Sequence, residues 1–372
     1  MAMANDHFGK RLALAMAVLL AIASRPLPGK TDASGKAPPA KGGFVIAPVI
    51  YYTPETRIAW GFVGIHYFRL FSSPQPSRLS SYRFNVIRTQ NRQTTVQVDC
   101  ELYLAGGRFL LDSTAKYSYY PNRFNGIGNW TTEAEQEDFT SRSWRLQLEP
   151  QLRLGGSVYA GLHLEAQSVS MRETQTGGTL EAGTVLGSAG GSINGVGLFA
   201  KWDSRDNTFS TSHGAYGAAF LNRYFGIFGG DYTYTQLALD ARGYWPLGRG
   251  PVPAVQGIFK SVWGGCPFQA LPMFGGLNLL RGYNDGRYRD RAMLALQGEC
   301  RLPLGRRVGL CGFAGIAQVQ EKISLLELDG FHAAAGGGVR YKFNPRENLV
   351  IRLDVGFAGA KPAFYLTFAE AF

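Results

Sequence analysis

The chain has 372 residues, of which 45% are hydrophobic and only 17% are charged, against a charged share of about 25% in typical soluble proteins. Glycine and aromatic residues fill the difference, with 48 Gly, 24 Phe, 18 Tyr and 6 Trp, and such a composition favours β structure. The mean hydropathy of −0.09 argues against a helical membrane protein, because each of its spans would need about 20 apolar residues.

The formal net charge of +11 suggests an anionic partner. A basic protein can bind nucleic acid when its basic residues cluster in a patch or stripe. Here the basic residues alternate with apolar ones along the chain, so nucleic acid is not an expected partner. Anionic lipid headgroups, or a lumen that favours anions, fit this charge pattern better.

The N-terminus has the pattern of a secretory signal peptide. Lys10 and Arg11 precede an apolar run at residues 12–23, which ends in small residues suited to cleavage. This run is too short to span a bilayer as a stable anchor. We therefore expect residues 1–23 to direct export and to be removed afterwards.

The sequence after this signal predicts one linker and one folded domain. Residues 24–43 are rich in Pro, Gly, Lys and Ala, which predicts a flexible linker without a buried core. Strand-like sequence begins directly afterwards. No soluble domain is therefore expected before residues 44–372, which should form a single β domain.

From residue 44 onward, apolar and polar residues alternate with a period of two, as in β-strands with one apolar and one polar face. Residues 144–154 show the pattern best. Their apolar positions are Trp144, Leu146, Leu148, Leu152 and Leu154. Arg, Gln or Glu occupies every odd position between them, so one face of this strand should contact water or a polar lumen.

Strands of this kind fit either a soluble β-sandwich or a membrane β-barrel. The export signal favours the barrel, and so does a strand length of about ten residues, which a tilted strand needs to cross a bilayer. Aromatic residues also crowd the strand ends, as in interfacial girdles: Tyr51, Tyr52, Tyr117, Tyr119, Tyr120, Trp202, Tyr244 and Trp245. We therefore predict a transmembrane antiparallel β-barrel over residues 44–372.

The pattern predicts about sixteen strands. They lie at residues 44–52, 57–69, 80–90, 94–104, 108–120, 138–154, 157–171, 194–204, 214–226, 231–245, 253–264, 290–302, 309–321, 331–343, 349–358 and 362–372. The first two have the weakest pattern, so fourteen strands remain an alternative. An even number puts both termini in the periplasm and the longer connections, at 121–137, 172–193 and 265–289, outside.

The most distinctive motif follows the eleventh predicted strand. Residues 274–283 read Phe-Gly-Gly-Leu-Asn-Leu-Leu-Arg-Gly-Tyr, and a later strand contains Glu299-Cys300-Arg301. This resembles the signature of the BamA/TamA superfamily of outer-membrane barrels, also called bacterial surface antigens. The resemblance implies a long external loop that folds into the lumen and docks its tip on the inner wall. That tip is formed by Leu280, Arg281, Gly282 and Tyr283.

An arginine at this tip needs an acidic partner, because its planar set of donors suits a carboxylate. Glu299 and Arg301 share an inward face in the predicted strand, and Glu299 is the first candidate. Similar proteins carry an acidic residue in a Phe-x-Asp-x-Gly pattern on the next strand, where this chain has Gly315. The loop should therefore be held less tightly, or use Asp240 or Asp354 instead.

Further segments strengthen the resemblance. A turn similar to the family's Asp-x-Arg-Asp-Asn turn follows the eighth predicted strand, on the periplasmic side, and consists of Asp203, Arg205, Asp206, Asn207 and Gly214. Residues 52–56 (Tyr-Thr-Pro-Glu-Thr) and 124–129 (Phe-Asn-Gly-Ile-Gly-Asn) resemble short members of the superfamily that lack POTRA domains.

The C-terminal segment is similar to the terminal signal that the barrel assembly machinery reads. Its apolar face is expected to consist of Phe364, Leu366, Phe368 and Phe372. Glu370 interrupts this face.

No catalytic or metal-binding pattern stands out, so we expect neither an enzyme nor a cofactor. The four cysteines form no CxxC pair, and the histidines form no His-x-x-x-His pair. Cys300 and Cys311 flank a predicted short turn and would face each other across it. If Gly315 faces inward, however, Cys311 does too, while Cys300 faces lipid and a disulfide is ruled out.

Two classes of function remain open. The resemblance implies insertion or translocation of proteins or lipids at the outer membrane of a Gram-negative bacterium, through a weak seam between the first and last strands. The alternative is a passive barrel: a porin-like, receptor or structural surface protein. Expected partners are outer-membrane lipids including lipopolysaccharide, the barrel assembly machinery during the protein's own insertion and, for the first class, a separate periplasmic protein.

Overall fold

The computed structural model describes residues 43–68, 80–208, 210–226, 229–248, 250–344, 349–359 and 361–372. The expected signal peptide, and all but the last residue of the expected linker, lie outside this described part of the chain.

Sixteen antiparallel strands form a closed barrel, and two short strands form a separate hairpin inside one loop. The strands are β1 (Gly43–Thr53), β2 (Arg57–Phe68), β3 (Ser80–Thr89), β4 (Thr94–Leu104), β5 (Phe109–Phe124), β6 (Glu137–Gly155), β7 (Val158–Thr174), β8 (Gly190–Asp203), β9 (Gly214–Tyr224), β10 (Tyr234–Tyr244), β11 (Val252–Gly264), β12 (Met273–Phe274), β13 (Tyr288–Arg289), β14 (Ala292–Pro303), β15 (Val308–Gln320), β16 (His332–Asn344), β17 (Leu349–Phe357) and β18 (Pro362–Phe368). β12 and β13 form the hairpin.

This architecture confirms the predicted fold class and sixteen strands. Some strands are longer than predicted. β5 continues to Phe124, which pairs with Glu137 of β6, and β8 already begins at Gly190. These extensions reach beyond the stretch in which apolar and polar residues alternate, so the pattern could not predict them.

The two faces of the barrel differ in the way that the alternation predicted. On β6, the outward-facing Trp144 is 61% exposed and Leu154 is 63% exposed. Gln151, on the inner face of the same strand, is 3% exposed. An apolar exterior suits lipid, and a closed sheet gives every strand a neighbour on both sides, because hydrocarbon offers no hydrogen-bond partner.

Within the described residues, no helix has the length and apolar character needed to cross a membrane.

The barrel closes most weakly between its first and last strands. β1 pairs with β2 from Gly43 to Thr53, and β18 pairs with β17 from Pro362 to Phe368. Between β1 and β18 the described residues contain a single pair, Tyr52 with Leu366. We call this junction the seam. Few backbone hydrogen bonds hold it closed.

A charge on the outer face should destabilise the barrel far more than a charge on the inner face. Leu146 faces outward near the middle of β6, and its neighbour Gln147 faces inward. We expect Leu146→Arg to lower the free energy of unfolding by about 2–4 kcal/mol, and Gln147→Arg to lower it by less than about 1 kcal/mol. Urea titrations in lipid vesicles measure both values, and equal losses would contradict a lipid-facing exterior.

Candidate functional site

The long connection between β11 and β14 folds into the barrel. We call residues 265–291 the inserted loop. Its hairpin pairs Met273 with Arg289 and Phe274 with Tyr288. Apolar side chains of the loop pack on the inner wall formed by β14, β15 and β16. This cluster consists of Phe274, Leu280, Tyr288, Met293, Ala295, Ala317, Val319 and Ala334.

Arg281, at the tip of the inserted loop, is 2% exposed. Its guanidinium group forms ion pairs with Glu299 of β14 and, at 2.5 Å, with Asp354 of β17. The guanidinium carbon also lies 3.6 Å from the centroid of the Phe313 ring. A cation stacked on an aromatic face and paired with two carboxylates is compensated well enough to remain buried.

Asp354 supplies the acidic group that the sequence lacks at Gly315. Gly315 does face inward, opposite Gln297, and a Cβ atom there would lie 2.8 Å from the Cβ of Gln297. The other candidate, Asp240, is not a partner of the loop. In the described residues it pairs instead with Arg242 on its own strand at 2.5 Å, so of the two alternatives the loop uses Asp354.

The loop tip belongs to a buried ring of alternating charges, which we call the charge ring. Its members are Arg281, Glu299, Arg301, Glu370, Arg340 and Asp354. None of these side chains is more than 8% exposed. A further cation, Arg352, lies 3.7 Å from Asp354 and donates to the backbone oxygen of Leu277 at 3.0 Å. The ring therefore joins the loop to strands β14, β16 and β17 and to the C-terminal residues.

The C-terminal residues turn into the lumen, which corrects the expected position of Phe372. β18 ends at Phe368, and Ala369 has a positive φ of 62°, which redirects the chain. Glu370 thereby reaches Arg340 at 2.7 Å. Phe372 is 7% exposed, and its backbone oxygen accepts a hydrogen bond from Arg301 at 2.9 Å.

The three other residues of the expected terminal signal lie on β18 itself. Phe364 is 49% exposed on the outer face, and Leu366 and Phe368 are partly exposed on the same face. Glu370 does not interrupt an outer face, because it belongs to the charge ring.

The loop backbone lies directly on β17. Gly282 has a φ of +127°, and a Cβ atom there would lie 2.8 Å from the carbonyl carbon of Phe357. A Cβ atom on Gly356 would lie 2.5 Å from the backbone oxygen of Arg281. Only glycine fits both positions without displacing backbone.

The inserted loop also contacts both sides of the seam. The backbone N–H of Gly282 donates to the hydroxyl oxygen of Tyr365 on β18 at 3.0 Å. The backbone N–H of Asp285 donates to Glu55 Oε1, in the turn between β1 and β2, at 2.7 Å. Burial of Glu55 raises the pKa of its carboxyl group.

Residues 124–129, selected only by resemblance, attach a second loop to the first. The Asn125 side chain donates to the Gly286 backbone oxygen at 3.2 Å, and the backbone N–H of Gly128 donates to the Arg289 oxygen at 2.9 Å. Asn129 donates to the Gly330 oxygen at 2.8 Å. Sequence reasoning missed these roles, because the three acceptors, Gly286, Arg289 and Gly330, lie more than 150 positions away along the chain.

The turn after β8 is compact. Arg205 pairs with Asp203 at 2.8 Å, and Asn207 Oδ1 accepts the Ser210 N–H at 3.0 Å. Gly214 follows with a φ of +104°.

Further hydrogen bonds fix the same turn, both within it and to a neighbouring strand. Burial alone would raise the pKa of Asp206, but hydrogen bonds from Ser212 and His213 lower it below its usual range. The backbone oxygen of Thr211 accepts a hydrogen bond from the Arg301 guanidinium group at 3.0 Å, so the turn contacts the charge ring.

The cysteines and histidines that the structure describes form no reactive cluster. Cys311 is buried and Cys300 is exposed, and both are free thiols, as opposite orientations require. His163 lies on the lumen wall, 2.9 Å from Glu149. Across the described ranges, no group of three or more His, Cys, Asp or Glu side chains could hold a metal ion.

The interactions at this site therefore attach the inserted loop to the barrel wall. Buried ions, backbone hydrogen bonds and close packing hold a long segment against one side of the lumen. On the other side, a cavity of 610 Å³ remains next to β2–β6, and its lining includes Arg83, Asp99, Asp112 and Glu149.

Removing the Arg281 guanidinium should destabilise the barrel strongly. Arg281→Ala leaves Glu299 and Asp354 buried without their partner, so we expect a loss of about 3–5 kcal/mol in the free energy of unfolding. Arg83→Ala is the matched control, because the Arg83–Asp99 pair is 3.0 Å long but the Arg83 side chain is 47% exposed, and it should cost below about 1 kcal/mol. Similar losses in urea titrations would contradict a loop held by buried ion pairs.

Comparison with solved structures identifies proteins with the same fold. BamA from Haemophilus ducreyi lacking POTRA domains 1-3 has a TM-score of 0.61 at 14% identity, covering 88% of this chain and 70% of that chain. CdiB from Acinetobacter baumannii has a TM-score of 0.54 at 10% identity, covering 88% and 59%. CdiB from Escherichia coli has a TM-score of 0.56 at 11% identity, covering 93% and 68%. Identities this low show a shared fold alone.

The family itself is established by sequence. No curated protein matches this chain significantly. Residues 114–367, more than half of the chain, match the Omp85 superfamily domain, and this range contains β6 to β17, the inserted loop and most of the charge ring. The chain therefore belongs to the Omp85 superfamily.

Proposed function

We propose that this protein inserts or translocates proteins or lipids at the outer membrane of a Gram-negative bacterium, without enzymatic chemistry, by opening its seam. One contrast supports this function most. In the described residues the seam is closed by a single residue pair, Tyr52 with Leu366, whereas a loop with a buried, ion-paired tip is anchored inside the lumen. The seam in the barrel wall is thus held weakly, and the inserted loop in the lumen is held strongly.

A weak seam provides a route between lumen and lipid. The edges of β1 and β18 carry backbone N–H and C=O groups that can pair with another strand. A polypeptide segment that arrives in an extended conformation could add to either edge. Because only one residue pair between the described strands must be broken, opening the sheet costs less free energy here than between any other two neighbouring strands.

The expected partners follow from the surfaces that this mechanism uses. The apolar outer belt would contact outer-membrane lipids, including lipopolysaccharide, and the barrel assembly machinery would insert the chain. Cargo would reach the lumen from the periplasmic end, where a separate periplasmic protein could deliver it. The fold shared with BamA and CdiB supports a membrane location for this process.

A passive barrel is the alternative, and the cavity of 610 Å³ favours it. The polar and charged lining of this cavity resembles the wall of a channel more than a packed core. A porin-like barrel would conduct ions through this space continuously. A receptor or structural barrel would use the fold without moving cargo.

Ion conductance separates these functions. In planar bilayers, we expect low conductance for the wild-type protein and roughly ten-fold more frequent large openings for Arg281→Ala, because the loop is released. Arg242→Ala is the matched control, since Arg242 pairs with Asp240 in the lumen, and it should conduct like the wild type. Large steady conductance of the wild-type protein would favour the passive barrel instead.

A disulfide across the seam tests the proposed route. Tyr52→Cys with Leu366→Cys, in a chain whose four native cysteines are replaced by serine, places two thiols at the single seam pair. We expect the oxidised protein in vesicles to lose the ability to accelerate folding of a urea-denatured outer-membrane barrel, and reduction to restore it. A Leu221→Cys, Leu237→Cys pair between β9 and β10 is the control and should have no effect. Equal activity of both oxidised proteins, or no acceleration by the wild type, would contradict the proposal.

A further inference from the structure

We propose that the inserted loop itself holds the seam closed, and that Glu55 is the positioning residue on the β1 side. The proposal rests on the proposed function, because it specifies how the same seam is regulated. It follows from one juxtaposition. Four consecutive loop residues, from Gly282 to Asp285, lie across the seam and form hydrogen bonds to β18 on one side and to the β1–β2 turn on the other.

The attachment on the β18 side uses Tyr365. Its hydroxyl oxygen accepts the N–H of Gly282 at 3.0 Å, and the same hydroxyl donates to the backbone oxygen of Tyr283 at 3.4 Å. Tyr365 is fully buried, so its ring has little freedom to move. The close packing of Gly282 on Phe357 fixes the loop against the neighbouring strand, β17.

The attachment on the β1 side uses Glu55. Its carboxylate accepts the N–H of Asp285 at 2.7 Å, and a hydrogen bond to a charged acceptor is stronger than one between neutral groups. The Glu55 backbone is fixed from the β3–β4 turn, because the side chain of Asn91 donates to its oxygen at 2.6 Å. The side chain of Gln93 donates to the same oxygen at 3.3 Å.

The turn that carries Glu55 is rigid as well. The Thr53 and Thr56 hydroxyl groups lie 2.8 Å apart, and the N–H of Thr56 donates to Thr53 Oγ1 at 3.2 Å. Both threonines are buried. The backbone that carries the Glu55 carboxylate is therefore fixed before the loop arrives, so less entropy is lost when the carboxylate accepts the loop N–H.

These attachments matter because the seam has so few of its own. Its strands share one pair, while the loop adds a hydrogen bond to each side. Opening the seam separates β18 from the β1–β2 turn, so it must break one of the two loop attachments. Seam opening and loop release are therefore coupled events.

Amide hydrogen exchange of the full chain in lipid nanodiscs tests this inference. We expect Glu55→Ala to accelerate exchange in β1 and β18 about ten-fold, a factor that corresponds to about 1.4 kcal/mol, with no change in β9 and β10. Glu55→Gln keeps an oxygen acceptor but loses the charge, so its exchange rates should lie between those of the wild type and those of Glu55→Ala. Thr131→Val is the matched control, because it removes a hydrogen bond between Thr131 Oγ1 and Arg287 of the loop away from the seam, and it should leave β1 and β18 unchanged.

A second variant keeps the inference testable if Glu55→Ala folds poorly. Tyr365→Phe removes the hydroxyl group and retains the ring, and it should accelerate the same strands. A bridge across the seam fails when either end is lost, so the double variant should exchange no faster than the faster single variant. Two independent local contacts would give multiplied effects instead. Multiplied effects, uniform acceleration of all strands, or rates like those of Thr131→Val would each overturn the inference.

Failure of the inference can be told apart from failure of the proposed function. Conductance of Glu55→Ala should remain like that of the wild type, because the ion pairs of Arg281 persist and the loop stays in the lumen. Faster exchange at the seam without any change in the folding of a substrate barrel would support the bridge and contradict the function. If the seam disulfide blocks folding of the substrate barrel but Glu55→Ala leaves exchange unchanged, the function is supported and the bridge is contradicted.

Discussion

The interaction on which this structure depends is the pairing of one buried guanidinium group, that of Arg281, with Glu299 and Asp354. A charge at 2% exposure is tolerated only when its partners are present and well oriented. Through these partners the loop is attached to two strands. Through the remainder of the charge ring it is also linked to Glu370, next to the last strand.

Lipid sets the second constraint. A sheet in hydrocarbon must close, because unpaired backbone groups find no partner there. In the described residues, this sheet closes with one residue pair at its seam. The two constraints meet in the inserted loop, which contacts β18 through Tyr365 and the β1–β2 turn through Glu55. A loop that lies inside the lumen can thereby also determine how firmly the wall is closed.

Alternation along the chain was enough to predict the strands, their approximate number and the inward orientation of Glu299, because each depends on neighbouring residues only. The choice of a membrane barrel over a soluble sandwich also needed the export signal, the strand length and the aromatic residues at the strand ends. The choice between Asp240 and Asp354 was not predictable, since both face inward and the path of a distant loop decides between them. The inward turn at Ala369 was hidden for another reason. A positive φ at an alanine has no sequence signal, so Phe372 was assigned to the wrong face.

A double-mutant cycle between Arg281 and Glu299 tests the central claim most directly. Arg281→Met, Glu299→Gln and the double variant would be compared by the free energy of unfolding in lipid vesicles. If the loop is held inside the lumen by this buried pair, the two residues should be coupled by at least about 2 kcal/mol. Losses that add within about 0.5 kcal/mol would show that the two side chains do not interact, and the account of an anchored loop would be wrong.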